Sequence, residues 1–167
     1  MSKTIHLNIF DPASINKAIR DIEDYKKWLW DKAEQLAQRL AEYGLRRVEM
    51  GYAAAVFDGD NDVTVKVEPR GKGKYAIVAS GTDVLFLEFG SGIKLYGSGH
   101  PQAGQFGYGP GTYPGQTHVP TPGYWWYTGS DGDSHFSVGN PPSMVMYKTA
   151  EELRREIERI AKEVFRS

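Results

Sequence analysis

The chain has 167 residues, the size of one domain, with 20 basic and 21 acidic side chains. A net charge of −1 argues against a dedicated nucleic-acid-binding protein, because such proteins carry a basic surplus. The absence of cysteine excludes disulfides and cysteine-ligated metals, and we expect neither a signal peptide nor a membrane helix, since no suitable apolar run is present.

The N-terminal third of the chain predicts a strand followed by helix. Residues 4–10 alternate between apolar and polar side chains, which is typical of a short strand. Apolar residues then recur at steps of three and four and predict a long amphipathic helix: Ile15, Ile19, Ile22, Leu29, Ala33, Leu36, Leu40 and Tyr43. Asp11 or Ser14 could cap its start, and Gly44 predicts its end. A second helical piece is expected over 46–56, although Gly51 weakens it.

The next segment predicts a β-hairpin with a basic tip. Residues 63–67 and 75–79 alternate, and a glycine-rich turn separates them. Arg70, Lys72 and Lys74 in this turn could contact phosphates, but three charges are equally typical of a solvated turn. A short helix or buried turn is expected to start near Asp83.

Residues 91–140 form a long insertion loop within a single domain spanning 1–167. Most of the glycines and prolines lie here, together with many aromatic residues. A flexible linker would lack the aromatics, so this loop needs a surface to rest on, either its own or a partner's.

A C-terminal helix completes the predicted fold. Its start is either a capping box formed by Thr149 and Glu152 or a position one turn earlier, after Pro142. The fold class is therefore α+β: a small, mainly antiparallel sheet of the N-terminal strand and the hairpin, packed by the long N-terminal helix and the C-terminal helix.

Glu88 lies in the phrase VLFLEFGSG, among large apolar residues and before a glycine hinge. If it were buried and unpaired, its pKa would be raised, which suits a general acid. Alternatively, it accepts hydrogen bonds from the backbone amides of the hinge, and we favour this structural role. The loop histidines, His100, His118 and His135, contain no close pair, so we expect neither a metal nor another cofactor.

Several phrases resemble one phage family. LFLEFGSGI is followed by a glycine- and aromatic-rich insert, then GYWWY, then PPSMVMYKTAEELRREIERIAKEVF. This order resembles the HK97-type minor tail component family of long-tailed phages, whose members are called neck, head–tail joining or tail-completion proteins. Here Met144 and Val145 stand near the position where the family usually has Pro-Phe.

The resemblance implies a non-enzymatic virion protein at the head–tail junction, made in the bacterial cytoplasm. It would form homo-oligomers, with a ring expected, and bind other neck and tail proteins. The implied assembly residues are Glu88, Phe89, Gly90, Gly92, Trp125, Trp126 and Tyr127. Arg70, Lys72 and Lys74 could then face packaged DNA.

Two other functions stay open. One is a small phage-associated hydrolase that uses Glu88. The other is a carbohydrate-binding module that uses the aromatic run Tyr124–Tyr127 as a stacking platform.

Overall fold

The computed structural model describes residues 4–55, 62–91, 99–108, 124–128 and 131–166. Their regular elements, in chain order, are α1 (Pro12–Ala54), β1 (Thr64–Pro69), β2 (Tyr75–Ser80), α2 (Val84–Phe89), a 3-10 turn (Gly104–Phe106), β3 (Trp125–Thr128), β4 (Ser134–Ser137) and α3 (Val145–Arg166). The predicted α+β class is confirmed. Within these ranges, no helix combines the length and apolar character needed to cross a membrane.

Helix α1 is a single helix of 43 residues, about 65 Å long at 1.5 Å per residue. Asp11 caps it by accepting a hydrogen bond from the Ala13 amide, as expected for one of the two candidate caps. The predicted end at Gly44 and separate helix over 46–56 are wrong, because Gly44 and Gly51 allow close packing instead. A Cβ on Gly44 would overlap the Ile77 side chain, and one on Gly51 would lie 2.5 Å from Val145 Cγ1.

Helix α3 runs antiparallel to the C-terminal two-thirds of α1. Its first residue, Val145, packs at Gly51, and Phe165 near its end meets Trp28 edge-on at 5.9 Å between ring centroids. The N-terminal third of α1 therefore extends past the end of α3.

The start of α3 corresponds to the earlier of the two predicted positions, after Pro142. The capping-box alternative is wrong, because Thr149 lies inside the helix and is buried. Glu152 instead binds α1, where it accepts a hydrogen bond from Tyr43 at 2.6 Å and pairs with Arg47 at 2.8 Å.

Strands β1 and β2 form the predicted antiparallel hairpin, paired from Thr64–Ser80 to Pro69–Tyr75. Strands β3 and β4 form a second, separate antiparallel pair. The strand expected over 4–10 is not formed. Asn8 directs a local turn there, since its side chain accepts from the Phe10 amide and its carbonyl accepts from the Asp11 amide.

The core lies where α1, α2 and α3 meet the first hairpin. Its buried members are Val48, Tyr52, Ala55, Leu87 and Val145, and side chains of β1 and β2 pack against them. This core brings the short helix α2 against the first turn of α3.

Candidate functional site

The C-terminal end of α2 meets the N-terminal end of α3. The Leu87 carbonyl accepts from the Ser143 amide at 2.8 Å, and the Glu88 carbonyl accepts from the Met144 amide at 3.2 Å. The Phe86 carbonyl accepts from Asn140 Nδ2 at 2.8 Å. Carbonyls at a helix end lack a partner within the helix, so the contacts from Ser143 and Met144 satisfy those of Leu87 and Glu88, and Asn140 adds a second donor to the Phe86 carbonyl, which also accepts from the Gly90 amide. We call this region the α2–α3 junction.

The Glu88 carboxylate lies at the centre of the α2–α3 junction, with its side chain 7% exposed. One oxygen accepts from the Tyr147 amide at 3.0 Å and from His100 Nε2 at 3.2 Å. The other accepts from the Met146 amide at 2.9 Å and from the Tyr52 hydroxyl at 3.3 Å. Both carboxylate oxygens therefore act as acceptors, and a carboxylate is a favoured group at a helix N-terminus.

His100 is buried beside Glu88 and is oriented by a second hydrogen bond. Its Nδ1 accepts from the Gln102 amide at 3.1 Å, so the ring proton is on Nε2, where it is donated to Glu88. The ring also packs on Phe89, with 4.3 Å between centroids. No local pattern in the sequence predicts that this histidine lies in the interior.

Tyr52 completes the set of Glu88 partners from α1. It is buried, and burial, followed by the negative charge of Glu88 and the hydrogen bond to it, raises the pKa of Tyr52 well above its ordinary value. The phenol therefore stays protonated and remains a donor to Glu88.

Glu88 has the predicted structural role of accepting amides, but the predicted amides are wrong. They belong to the first turn of α3, 58 and 59 residues further on, and not to the glycine hinge. Within the hinge, Gly90 lies close to another backbone: its φ is 77°, and a Cβ would lie 2.8 Å from the Asn140 carbonyl oxygen. Gly92 lies outside the described residues.

The base of the 91–140 insertion is closed by Ser91 and Asn140. Their backbones exchange two hydrogen bonds of 2.9 Å in an antiparallel bridge. Just before this bridge, Phe89 stacks on Tyr108 at 4.2 Å between centroids, with the rings 9° from parallel. Burial raises the pKa of Tyr108. Residues 99–108 are thus packed against the α2–α3 junction.

The β3–β4 hairpin presents an aromatic cluster to solvent. Tyr124, Trp126 and Phe136 are 43%, 64% and 50% exposed. The Phe136 ring lies 5.3 Å from Tyr124 and 5.5 Å from Trp126 between centroids. The side chains of Trp125 and Tyr127, also predicted to be interface residues, lie outside what the structure describes.

The basic tip of the first hairpin is tied to α1. Glu34 accepts hydrogen bonds from the Gly73 amide and the Tyr75 hydroxyl, the latter raising the pKa of Tyr75. Arg70, Lys72 and Lys74 are exposed, and Arg70 pairs with Glu68 at 2.6 Å. Because Glu68 offsets part of the charge, the tip is a weaker phosphate surface than the sequence predicts.

The N-terminal third of α1 carries the largest feature that the sequence did not predict. Its apolar stripe was expected to be core, but it is exposed. Five of its side chains are 37–54% accessible: Ile15, Ile19, Ile22, Tyr25 and Leu29. We call these five residues the α1 stripe. The sequence pattern could not predict this exposure, because a repeat of 3.6 residues identifies the apolar face of a helix but not what packs against that face.

The other two loop histidines, His135 and His118, are not seen to form a binding site with His100 among the described residues. His135 lies 2.9 Å from Asp131 on the β3–β4 hairpin, where the hydrogen bond from the Asp133 amide, followed by the one from His135, lowers the pKa of Asp131. His118 is outside the described residues, and among the described ones no cluster of three or more His, Asp or Glu could hold a metal.

Comparisons of the chain with protein-family models, with curated proteins and with solved structures give no match.

Proposed function

We propose that this protein is a structural component of a phage head–tail junction: a neck, head–tail connector or tail-completion protein. It acts by self-association and by docking to neighbouring proteins. The observation that carries the proposal is that two separate elements, the α1 stripe and the β3–β4 hairpin, expose apolar side chains to solvent. Large exposed apolar patches on a small domain are typical of interaction surfaces.

The resemblance to the minor tail component family supports the specific role that we propose. The resembling phrases correspond to the α2–α3 junction and the β3–β4 hairpin: LFLEFGSGI spans α2 and the hinge, GYWWY begins β3, and PPSMVMY leads into α3. The α2–α3 junction holds both ends of the insertion in place. The insertion that carries the exposed aromatic side chains is therefore anchored to the helices.

The geometry of Glu88 favours this function over hydrolysis. A general acid needs a proton to donate and access to substrate. Glu88 is buried, and its carboxylate accepts from four protein donors. That arrangement is suited to holding three helices together.

The proposal is tested by complementation of phage particles. Heads and tails from a phage lacking this protein would be mixed with the purified chain, and joined infectious particles would be counted. We expect joining to be restored by the wild-type chain and reduced by Trp126→Ala. Unjoined particles at every protein concentration would contradict the proposal.

A carbohydrate-binding module is a second candidate, because Tyr124, Trp126 and Phe136 form an exposed row of rings. Such a row can stack on sugar faces. Tryptophan fluorescence titrated with peptidoglycan fragments and model glycosides distinguishes the two functions. Saturable quenching that is lost in Trp126→Ala would favour the sugar-binding reading.

A further inference from the structure

We infer that the α1 stripe is the contact surface for the α1 stripe of a second copy of this chain, and that the two helices pair antiparallel. This inference deepens the proposed function by assigning one self-association surface, and it rests on that function only for its biological setting. The physical argument has three parts: the direction of the seam, the area and the charge.

The α1 stripe continues the seam that α3 already fills further along α1. Ile15 and Gly51 are 36 residues apart, which is ten turns of a helix, so both lie on one face. Gly51 is in contact with Val145 of α3, whereas Ile15 is 37% exposed. The face is therefore built for helix packing, and it is uncovered only where α3, about 33 Å long at 22 residues, has ended.

The position of α3 fixes the direction of a partner helix. In a parallel pair, residues 28–51 of the two α1 helices would run side by side on the face that α3 occupies in each copy. In an antiparallel pair centred on Ile22, residues 12–32 of the two helices run side by side, and only the last turn of this overlap reaches Trp28, where α3 ends. Pairing centred on Ile22 places Ile15 opposite Leu29 of the partner, so one patch is complementary to itself, as a two-fold axis requires.

The exposed apolar area is adequate for a dimer. The five side chains of the α1 stripe are 37–54% exposed. Since side chains of this size carry roughly 150–200 Å² each, their exposed surface is on the order of 400 Å². That is close to the apolar share of the roughly 800 Å² that each partner buries in a standard protein interface.

The charges around the stripe favour a protein partner of the same composition. Residues 15–32 contain five basic and four acidic side chains. A helix that lies on a membrane surface has a polar face rich in Lys and Arg, and a nucleic-acid surface has a basic surplus. A balanced face has neither property, and it does not repel a second copy of itself.

The first test is the native mass of the full chain, measured by sedimentation velocity over a concentration series. We expect a dimer, or an even-numbered assembly. Ile15→Ser with Ile22→Ser should weaken the pairing about a hundredfold, because four partly buried isoleucines are lost per dimer. The matched control is Lys17→Ser with Asp24→Ser, which has the same spacing on the opposite face and should leave the mass unchanged.

The second test uses the absence of native cysteine. Single cysteines introduced by Ile15→Cys and Leu29→Cys would be joined with a short bis-maleimide. Antiparallel pairing predicts efficient crosslinking in the mixture of the two variants and of Ile22→Cys with itself, and poor crosslinking of Ile15→Cys alone. The reverse pattern would overturn the antiparallel arrangement.

A monomer at all concentrations, or an oligomer whose mass is unchanged by the paired isoleucine substitution, would overturn the inference altogether. The function is tested separately by particle joining. A chain that joins heads to tails without pairing through α1 would reject this inference and retain the proposed function.

Discussion

The α2–α3 junction and the α1 stripe differ in which kind of side chain is buried and which is exposed. In the junction, a charged carboxylate is buried and accepts from four donors drawn from α1, from α3 and from residues 99–108. In the stripe, isoleucine and leucine side chains are left accessible. A polar group is buried where the elements of one chain pack together. Apolar groups are exposed where we infer that a second copy packs.

The same substitution in the two regions gives the largest expected difference. Leu87→Ala, at a residue 5% exposed, should lower the free energy of unfolding by about 2–5 kcal/mol. Leu29→Ala, at a residue 43% exposed, should change it by less than about 1 kcal/mol in dilute samples of single copies. Urea unfolding followed by circular dichroism measures both, and equal losses would show that the stripe is internal core.

Gly90→Ala should cost more than about 3 kcal/mol of unfolding free energy, because backbone strain at φ 77° adds to overlap with the Asn140 carbonyl. The overlapping groups belong to the backbone, so side-chain movement cannot relieve them. Gly104→Ala is the control, since a Cβ there meets nothing within 4 Å. A stable Gly90→Ala variant would mean that the hinge does not require glycine.

Glu88→Gln should lower the free energy of unfolding by about 2–4 kcal/mol, because an amide group replaces one accepting oxygen and faces donors. The matched control is Glu158→Gln on the exposed face of α3, where Glu158 pairs with solvent-exposed Lys162 and the change should stay within about 0.5 kcal/mol. Urea unfolding measures both changes in free energy from the shift in midpoint, provided that the dependence of the free energy on urea concentration is unchanged. A loss below about 0.5 kcal/mol at Glu88 would remove it from the centre of the junction.

The smallest expected effect concerns alkaline pH. The pKa of Tyr52 is raised in the folded state, so its contribution to stability is complete below about pH 10 and is lost as the pH rises further, where the unfolded tyrosine releases its proton first. The free energy of unfolding should therefore fall above pH 10. It should fall less steeply in Tyr52→Phe, which has no hydroxyl at this position to ionise. Urea midpoints between pH 8 and 11 test this, and identical slopes for the two chains would contradict it.

Local patterns were sufficient for elements whose bonds are local. The alternation on either side of a glycine-rich turn predicted the β1–β2 hairpin, and Asp11 was among the predicted caps of α1. The strand over 4–10 failed because alternation does not supply a partner strand. Asn8 could satisfy its neighbours' backbone without one.

The candidate site depended on contacts between residues far apart in the sequence. In the sequence, Gly44 has the features of a helix end. Its role in the structure is to allow Ile77 and Leu153 to pack closely against α1. The environment of Glu88 was correctly expected to include amides, but those amides follow a long insertion. His100 has no distinguishing local pattern, and its burial follows only from the packing of residues 99–108 on Phe89.

The contacts of Glu88 have a consequence for the order in which the chain folds. Glu88 joins groups that are 12, 36, 58 and 59 residues away in the sequence. Contacts that close long loops form later than helices and hairpins, because the chain between them must first be ordered. We therefore expect Glu88→Gln to accelerate unfolding by roughly 30- to 1,000-fold, which is the predicted loss of about 2–4 kcal/mol, while leaving the refolding rate almost unchanged. The junction would then determine how long the native state persists rather than how quickly it is reached.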